Sequence, residues 1–144
     1  CGAAQAAAKK GRPGLPLLYA DCCGRYHAGA LPPTPEALMR SRYSAYVKGL
    51  AAYVRSTWHP STCPAELDLS GSTQWLGLSV QAARQWPAQA ADSLGLGAPV
   101  TAWGEVRFVA RWREQGRGQR MTEISRFAQQ DGRWWYVDGQ VNGA

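Results

Sequence analysis

The apolar positions of this chain change their period once, near residue 74. Between Thr34 and Leu50, Met39, Tyr43, Tyr46 and Leu50 recur at i, i+4, i+7 and i+11, one stripe of a helix. Arg40, Ser44 and Lys48 fall on the other side of it. Thr34-Pro35-Glu36 is a helix start: a hydroxyl N-cap, proline at the first helical position and an acid at the positive end of the dipole. Gly49 weakens the helix, a second short helix is predicted over Ala51 to Trp58, and Pro60 ends it. From Gln74 the period falls to two. Leu76, Leu78 and Val80 alternate with small residues, and Val106, Phe108, Ala110 and Trp112 alternate with Arg107, Val109 and Arg111. Met121, Glu123, Ser125 and Phe127 make a third set. Trp134, Tyr136 and Asp138 make a fourth, after the turn Asp131-Gly132. Two helices followed by four strands on short turns predict an α+β fold with an antiparallel sheet and no parallel crossover.

Residues 1–33 differ in kind. They are rich in Gly, Pro and Ala, with a helix-prone run from Ala3 to Ala8, and read as loop with at most a turn of helix. They also hold Cys1, the adjacent pair Cys22-Cys23, and His27. A thiol-rich segment without a core needs a metal or a disulfide to hold it. No secretory apolar region and no run of about 18 apolar residues is present, which favours a reduced, cytoplasmic, metal-binding reading and no membrane partner. Cys1, Cys22, Cys23 and His27 are the zinc candidates, with Gly24 letting the backbone turn between neighbouring thiolates. Because the chain opens on Cys rather than Met, a further ligand is expected upstream, with His27 as its stand-in. Cys63 has no evident His or acid partner and is read as incidental.

With 144 residues, 45% of them hydrophobic and seven Trp, the chain can bury a substantial core, which excludes disorder over most of its length. Its net charge of +6 is carried by thirteen Arg and three Lys, a balance that suits nucleic acid or an acidic protein. Lys9, Lys10, Arg12 and Arg25 crowd the thiol segment, and Arg111, Arg113, Arg117 and Arg120 crowd the turn between the second and third strands. Beside Trp103 and Trp112 such cations suit phosphate contact with base stacking, although the register of Trp112 points it towards the core.

The run Tyr19 to Gly29, with Asp21-Cys22-Cys23-Gly24 and His27, resembles the closing half of a SEC-C motif, the zinc knuckle at the tail of the SecA translocase. Ala37 to Tyr46, Thr57-Trp58-His59-Pro60, Glu123-Ile124-Ser125-Arg126-Phe127 and Trp134 to Gly139 resemble the YchJ family of bacterial proteins. The resemblance implies a structural zinc knuckle over residues 1–33 joined to a nuclear-transport-factor-2-like (cystatin-like) domain over 34–144. That domain is a curved antiparallel sheet wrapping a helix into a cone, and a homodimer is expected by analogy. A SEC-C motif opens on Cys-x-Cys, of which Cys1 matches the second residue, and the spacer to Cys22 is lengthened here by Lys9-Lys10-Gly11-Arg12.

Fold does not imply function, and three readings follow. The first is a zinc-containing nucleic-acid-binding protein, extended to a nuclease using Mn²⁺ or Mg²⁺ with Glu123, Asp138 and His59 as acids and base. The second is a protein-interaction adaptor using the knuckle. The third is a small-molecule lyase or isomerase working inside the cone, whose mouth collects Trp58-His59, Arg42, Tyr43, Glu123 and Asp138. The bland account of a buried Glu123 is an ion pair with Arg42 or Arg126, and of His59 a hydrogen bond at a helix end. No Gly-rich phosphate loop, Gly-x-Ser-x-Gly or His-Glu-x-x-His occurs, which removes those chemistries.

Overall fold

The computed structural model describes Tyr19 and residues 22–67, 73–89 and 99–142. Three helices precede four strands: α1 (Cys23–His27), α2 (Pro35–Lys48), α3 (Ala51–Ser56), β1 (Gln74–Pro87), β2 (Ala102–Glu114), β3 (Arg117–Gln130) and β4 (Arg133–Asn142). The strands form one curved antiparallel sheet in the order β1-β2-β3-β4. The expected α+β cone is therefore the observed architecture. No helix among the described residues is long and apolar enough to cross a membrane.

The predicted start of α2 is realised in detail. Ala37 N–H donates to Thr34 Oγ1 at 3.1 Å, Pro35 opens the helix, and Gly49 closes it in the left-handed conformation at φ 72°. Both later hairpins turn on paired left-handed residues, Gln115-Gly116 (φ 51° and 78°) and Asp131-Gly132 (φ 52° and 73°). Two successive positive φ angles make a type I′ turn, whose twist matches the strands it joins.

Leu38, Met39 and Tyr43 of α2 pack into the concave face against Val106, Phe108, Ala110, Phe127 and Trp134. Each fully buried side chain of this size contributes about 1.5–3 kcal/mol. The start of α2 is seated on β2 at Gly104, where an added Cβ would lie 2.3 Å from Pro35 Cγ and 3.3 Å from the Trp134 ring. A second cluster, Val100, Ala128 and Val137 with Trp103, lies on the opposite face by register. α2 is covered on two sides, so Ser41 and Ser44, which a single stripe would leave outside, are buried as well.

The turn of helix allowed for in the first segment is α1, five residues long. Two expectations are corrected. α3 stops at Ser56 rather than running to Trp58, because the chain there joins the sheet: His59 N–H donates to Tyr136 O at 2.7 Å and Tyr136 N–H to Thr57 O at 2.9 Å. The second correction concerns β-bulges, two of the three register shifts in the sheet. One register shift falls between Trp75 and Gly77, so Trp75, Leu78 and Val80 face the core while Leu76 is 48% exposed. The other lies where Phe127 pairs with Tyr136 but Arg126 pairs with Asp138, leaving Val137 as the extra residue. A bulge inverts the faces of everything beyond it. Asp138 therefore leaves the face of Trp134 and Tyr136, and Gly139 takes the inward place.

Gly104→Ala should lower Tm by about 3–10 °C through overpacking against Pro35. Gly118→Ala, where nothing lies within 4 Å of an added Cβ, should leave Tm unchanged or raise it. Thermal unfolding of both variants followed by circular dichroism checks the seat of α2.

Candidate functional site

Between α2 and the concave face the packing leaves a cavity of about 150 Å³. Met39, Trp75, Phe108, Ala110 and Met121 supply apolar walls, and Tyr43, Tyr46, Tyr136, Ser125, Arg42 and Glu123 bring polar groups to it. The predicted inward register of Met121, Glu123, Ser125 and Phe127 on β3 delivers Glu123 here. Ser125 Oγ–H donates to Glu123 Oε2 at 2.6 Å. Beneath the carboxylate lies Gly139, where an added Cβ would sit 2.6 Å from Glu123 Cδ. A hydroxyl on its own strand and a missing side chain on the next thus hold the carboxylate in place.

Arg42 enters from α2 and is 3% exposed. Its Nη1 donates to Val54 O at 2.8 Å and to Thr57 Oγ1 at 2.7 Å, tying α2 to the end of α3. The guanidinium carbon lies 4.1 Å from the Tyr136 ring centroid and 5.1 Å from that of Trp58. Burial pulls its pKa below the ordinary arginine value, with nearby tyrosines opposing that shift. The expected ion pair of Glu123 with Arg42 or Arg126 is not formed. Arg126 instead pairs with Asp138 at 2.7 Å on the outer face, and Arg42 has no carboxylate partner among the described residues. Burial holds the Tyr43, Tyr46 and Tyr136 phenols above their ordinary pKa; at Tyr136, Glu123 pushes further in the same direction.

The acid-acid-histidine trio is not brought together. Asp138 lies outside because of the bulge at Val137. His59, 0% exposed, accepts from Ser61 N–H at Nδ1 (3.2 Å) and through Nε2–H donates to Gln130 Oε1 at 2.8 Å. Its ring meets the edge of Trp135 at 5.6 Å. It pins the α3–β1 connection to β3 and β4, as a hydrogen-bonding histidine rather than a base. Among the described residues no three His, Cys, Asp or Glu side chains converge as a metal site.

The thiol segment docks on α2. Cys22 Sγ and Cys23 Sγ are 3.7 Å apart, and Cys23 S–H donates to Arg40 O at 3.4 Å. Tetrahedral zinc with bonds of about 2.3 Å sets its sulfurs about 3.8 Å apart, so the pair fits two corners of such a site. Gly24 allows the turn, since a Cβ there would lie 2.6 Å from Tyr19 O. Burial and the neighbouring Cys22 push the Cys23 thiol up to about 11 in the absence of a cation. His27 does not fit as a ligand: Nε2–H donates to Ser41 O at 2.8 Å and Nδ1 accepts from Tyr19 O–H at 2.5 Å. Cys1, Lys9, Lys10 and Arg12 lie outside the described residues.

Of the basic candidates, Arg25 is exposed and stacks on Tyr26 at 4.7 Å. Arg111, Arg113, Arg117 and Arg120 are exposed at the far end of the β2–β3 hairpin, and Arg111 faces Arg120 directly across it. One of the two neighbouring indoles takes the core-facing side that its register predicts. Trp112 sits on the concave side with Trp75, ring centroids 5.9 Å apart.

A family model described as YchJ, middle NTF2-like domain, matches residues 34–139. The chain belongs to the YchJ family. A UPF0225 protein of Cupriavidus pinatubonensis is 48% identical over 137 residues, covering 90% of this chain and 87% of the relative. One from Xanthomonas oryzae is 51% identical over 130 residues, covering 88% and 91%. Among solved structures, a SEC-C motif containing protein from Rhodopseudomonas palustris is similar at TM-score 0.63 and 30% identity, over 91% of this chain and 95% of that one. Another, from Psychrobacter arcticus, is similar at TM-score 0.64 and 28% identity, over 97% and 78%.

The YchJ match runs from Thr34, the cap of α2, to Gly139, the seat of Glu123, so every lining residue of the cavity lies inside it. Tyr46 and Tyr136 read as core from their periodicity, and Gly139 carried no signal of its own. Only the bulge that turns Gly139 inward explains why a glycine stands there.

The buried phenols predict an alkaline loss of stability. A phenol held above its ordinary value of 10.0 stays protonated in the folded chain while the unfolded chain ionises. The contribution is complete below about pH 10 and falls as pH rises beyond it. Urea midpoints should therefore be lower at about pH 11 than at about pH 9.5, and a Tyr136→Phe variant should show a smaller drop.

Proposed function

We propose that the YchJ-family domain of this chain binds a small organic molecule inside the cone and moves a proton on it. The observation that carries the reading is Glu123, a carboxylate held by Ser125 over Gly139 and opening into a cavity otherwise walled by apolar and phenolic groups. Ligand sites are concave and mostly apolar, with a few placed polar groups. Glu123 is the base, and a phenol kept protonated by burial, Tyr46 or Tyr136, donates a hydrogen bond to the oxygen on which charge develops. That division of labour suits isomerisation or elimination next to a carbonyl, the lyase or isomerase class. A nuclease using Glu123, Asp138 and His59 has no such support, since the three face different surroundings.

Saturation-transfer NMR of a fragment set, with solvent-deuterium exchange of the bound compounds, tests the reading. Compounds that bind should exchange a C–H next to a carbonyl. Glu123→Gln should slow that exchange by about 10²–10⁴-fold while binding persists. Gly139→Ala, which pushes the carboxylate aside, should slow it too. Binding without exchange in the native chain would leave a binding domain, and no binding would remove the reading.

A second reading is favoured by the hairpin. Like charges directly opposite across a strand pair destabilise it, and Arg111 and Arg120 are so placed with no acidic partner among the described residues. A phosphate backbone would relieve that repulsion. Arg111→Glu with Arg120→Glu should abolish a mobility shift of RNA or DNA and flatten its salt dependence, whereas an unchanged shift would exclude the hairpin.

For the thiol segment the reading is a structural zinc held by Cys22 and Cys23, with Cys1 as the family-implied third thiolate. Bound there, the ion would fasten the N-terminal segment to α2. Native protein should carry about one zinc per chain by elemental mass spectrometry, and Cys22→Ser with Cys23→Ser should carry none. Metal-free native protein would overturn the assignment.

A further inference from the structure

The proposed cone reading leaves one group unexplained. Of the N–H donors on the Arg42 guanidinium, those of Nη1 are used by Val54 O and Thr57 Oγ1, while Nε and Nη2 make no hydrogen bond to a described residue. The side chain is 3% exposed and lines the cavity. No carboxylate among the described residues neutralises it. Beside it, Trp58 Nε1 is a buried donor that likewise has no partner among the described residues. A buried cation that is neither paired nor fully hydrogen-bonded is expensive to keep, and this one lines an open space with the donors of its Nε/Nη2 edge unused.

We infer that the cone binds a small cyclic carboxylic acid, with its carboxylate docked on the Nε/Nη2 edge of Arg42. The inference rests on the cone being a ligand site and adds the ligand's class. A planar carboxylate meets a guanidinium edge through two parallel N–H···O bonds. A cavity of about 150 Å³ is that of a single benzene-sized ring, and Trp75, Phe108 and Met39 supply apolar faces for it. Charge narrows the class further. Glu123 opens into the same cavity, so a single cation shares the space with an anion already present, and a monoanion is tolerated where a phosphate dianion is not. The polar anchor at Arg42 leaves the far end of the ring to Glu123.

Titration calorimetry of the full chain with benzoate, benzyl alcohol and phenyl phosphate separates the outcomes. Benzoate should bind at least about tenfold more tightly than benzyl alcohol, and phenyl phosphate more weakly than benzoate. Arg42→Met should erase the preference for benzoate. Because Arg42 also anchors α3, Glu123→Gln gives a second arm that leaves the guanidinium in place. It should tighten benzoate severalfold relative to benzyl alcohol. Equal binding of benzoate and benzyl alcohol would overturn the carboxylate assignment and keep the cone reading. A preference for phenyl phosphate would replace the class, and failure of all three probes to bind would overturn both.

Discussion

A guanidinium taken out of water organises the middle of this molecule. Arg42 keeps its charge inside by hydrogen bonds to the last turn of α3 and by the faces of Tyr136 and Trp58. Those contacts fix the angle between α2 and α3 and bring the segment after α3 against β4, where Thr57 and His59 exchange backbone hydrogen bonds with Tyr136. The same side chain that knits these elements together also lines the cavity. Replacing it with an apolar residue of similar volume would take the charge out of the cavity wall and leave the carbonyl of Val54 and the hydroxyl of Thr57 without this donor.

Much of the fold was legible along the chain, for local physical reasons. Thr34-Pro35-Glu36 carries its own start signal, and Asp131-Gly132 can hardly avoid a type I′ turn. The inward register of β3 follows from unbroken alternation, so Glu123 was placed correctly inside. What could not be read were the bulges. An extra residue in a strand answers to packing on both faces at once: Val137 joins the outer cluster while Tyr136 stays in the inner one. Alternation carried unbroken through Trp134, Tyr136 and Asp138 therefore sent the wrong residue inside. Arg42 shows the other limit. Its place on α2 was plain, but whether a buried arginine finds a carboxylate depends on residues about eighty positions away.

The thiol segment and the cone meet on one helix. His27 bonds the carbonyl of Ser41, and the next residue along α2 is Arg42. Ser41 Oγ in turn bonds Tyr53 of α3 at 2.7 Å, and the Tyr53 ring packs edge-on against His27 at 4.5 Å. The metal candidate is thus seated on the outer side of the turn whose inner side lines the cavity.

Val137 divides β4 into two reading frames. Before it, odd and even positions mean outside and inside; after it, the meanings are exchanged. Pairing Val137 with Arg126 as an ordinary strand residue would slide everything beyond it by one place and set Asp138, not Gly139, opposite Ser125 beside Glu123. Two acids would then stand side by side at the floor of the cone, whereas deleting Val137 outright would leave Asp138 opposite Arg126 on the outer face. The bulge itself therefore stands between a carboxylate with a neutral neighbour and an acidic pair that would share protons or recruit a cation.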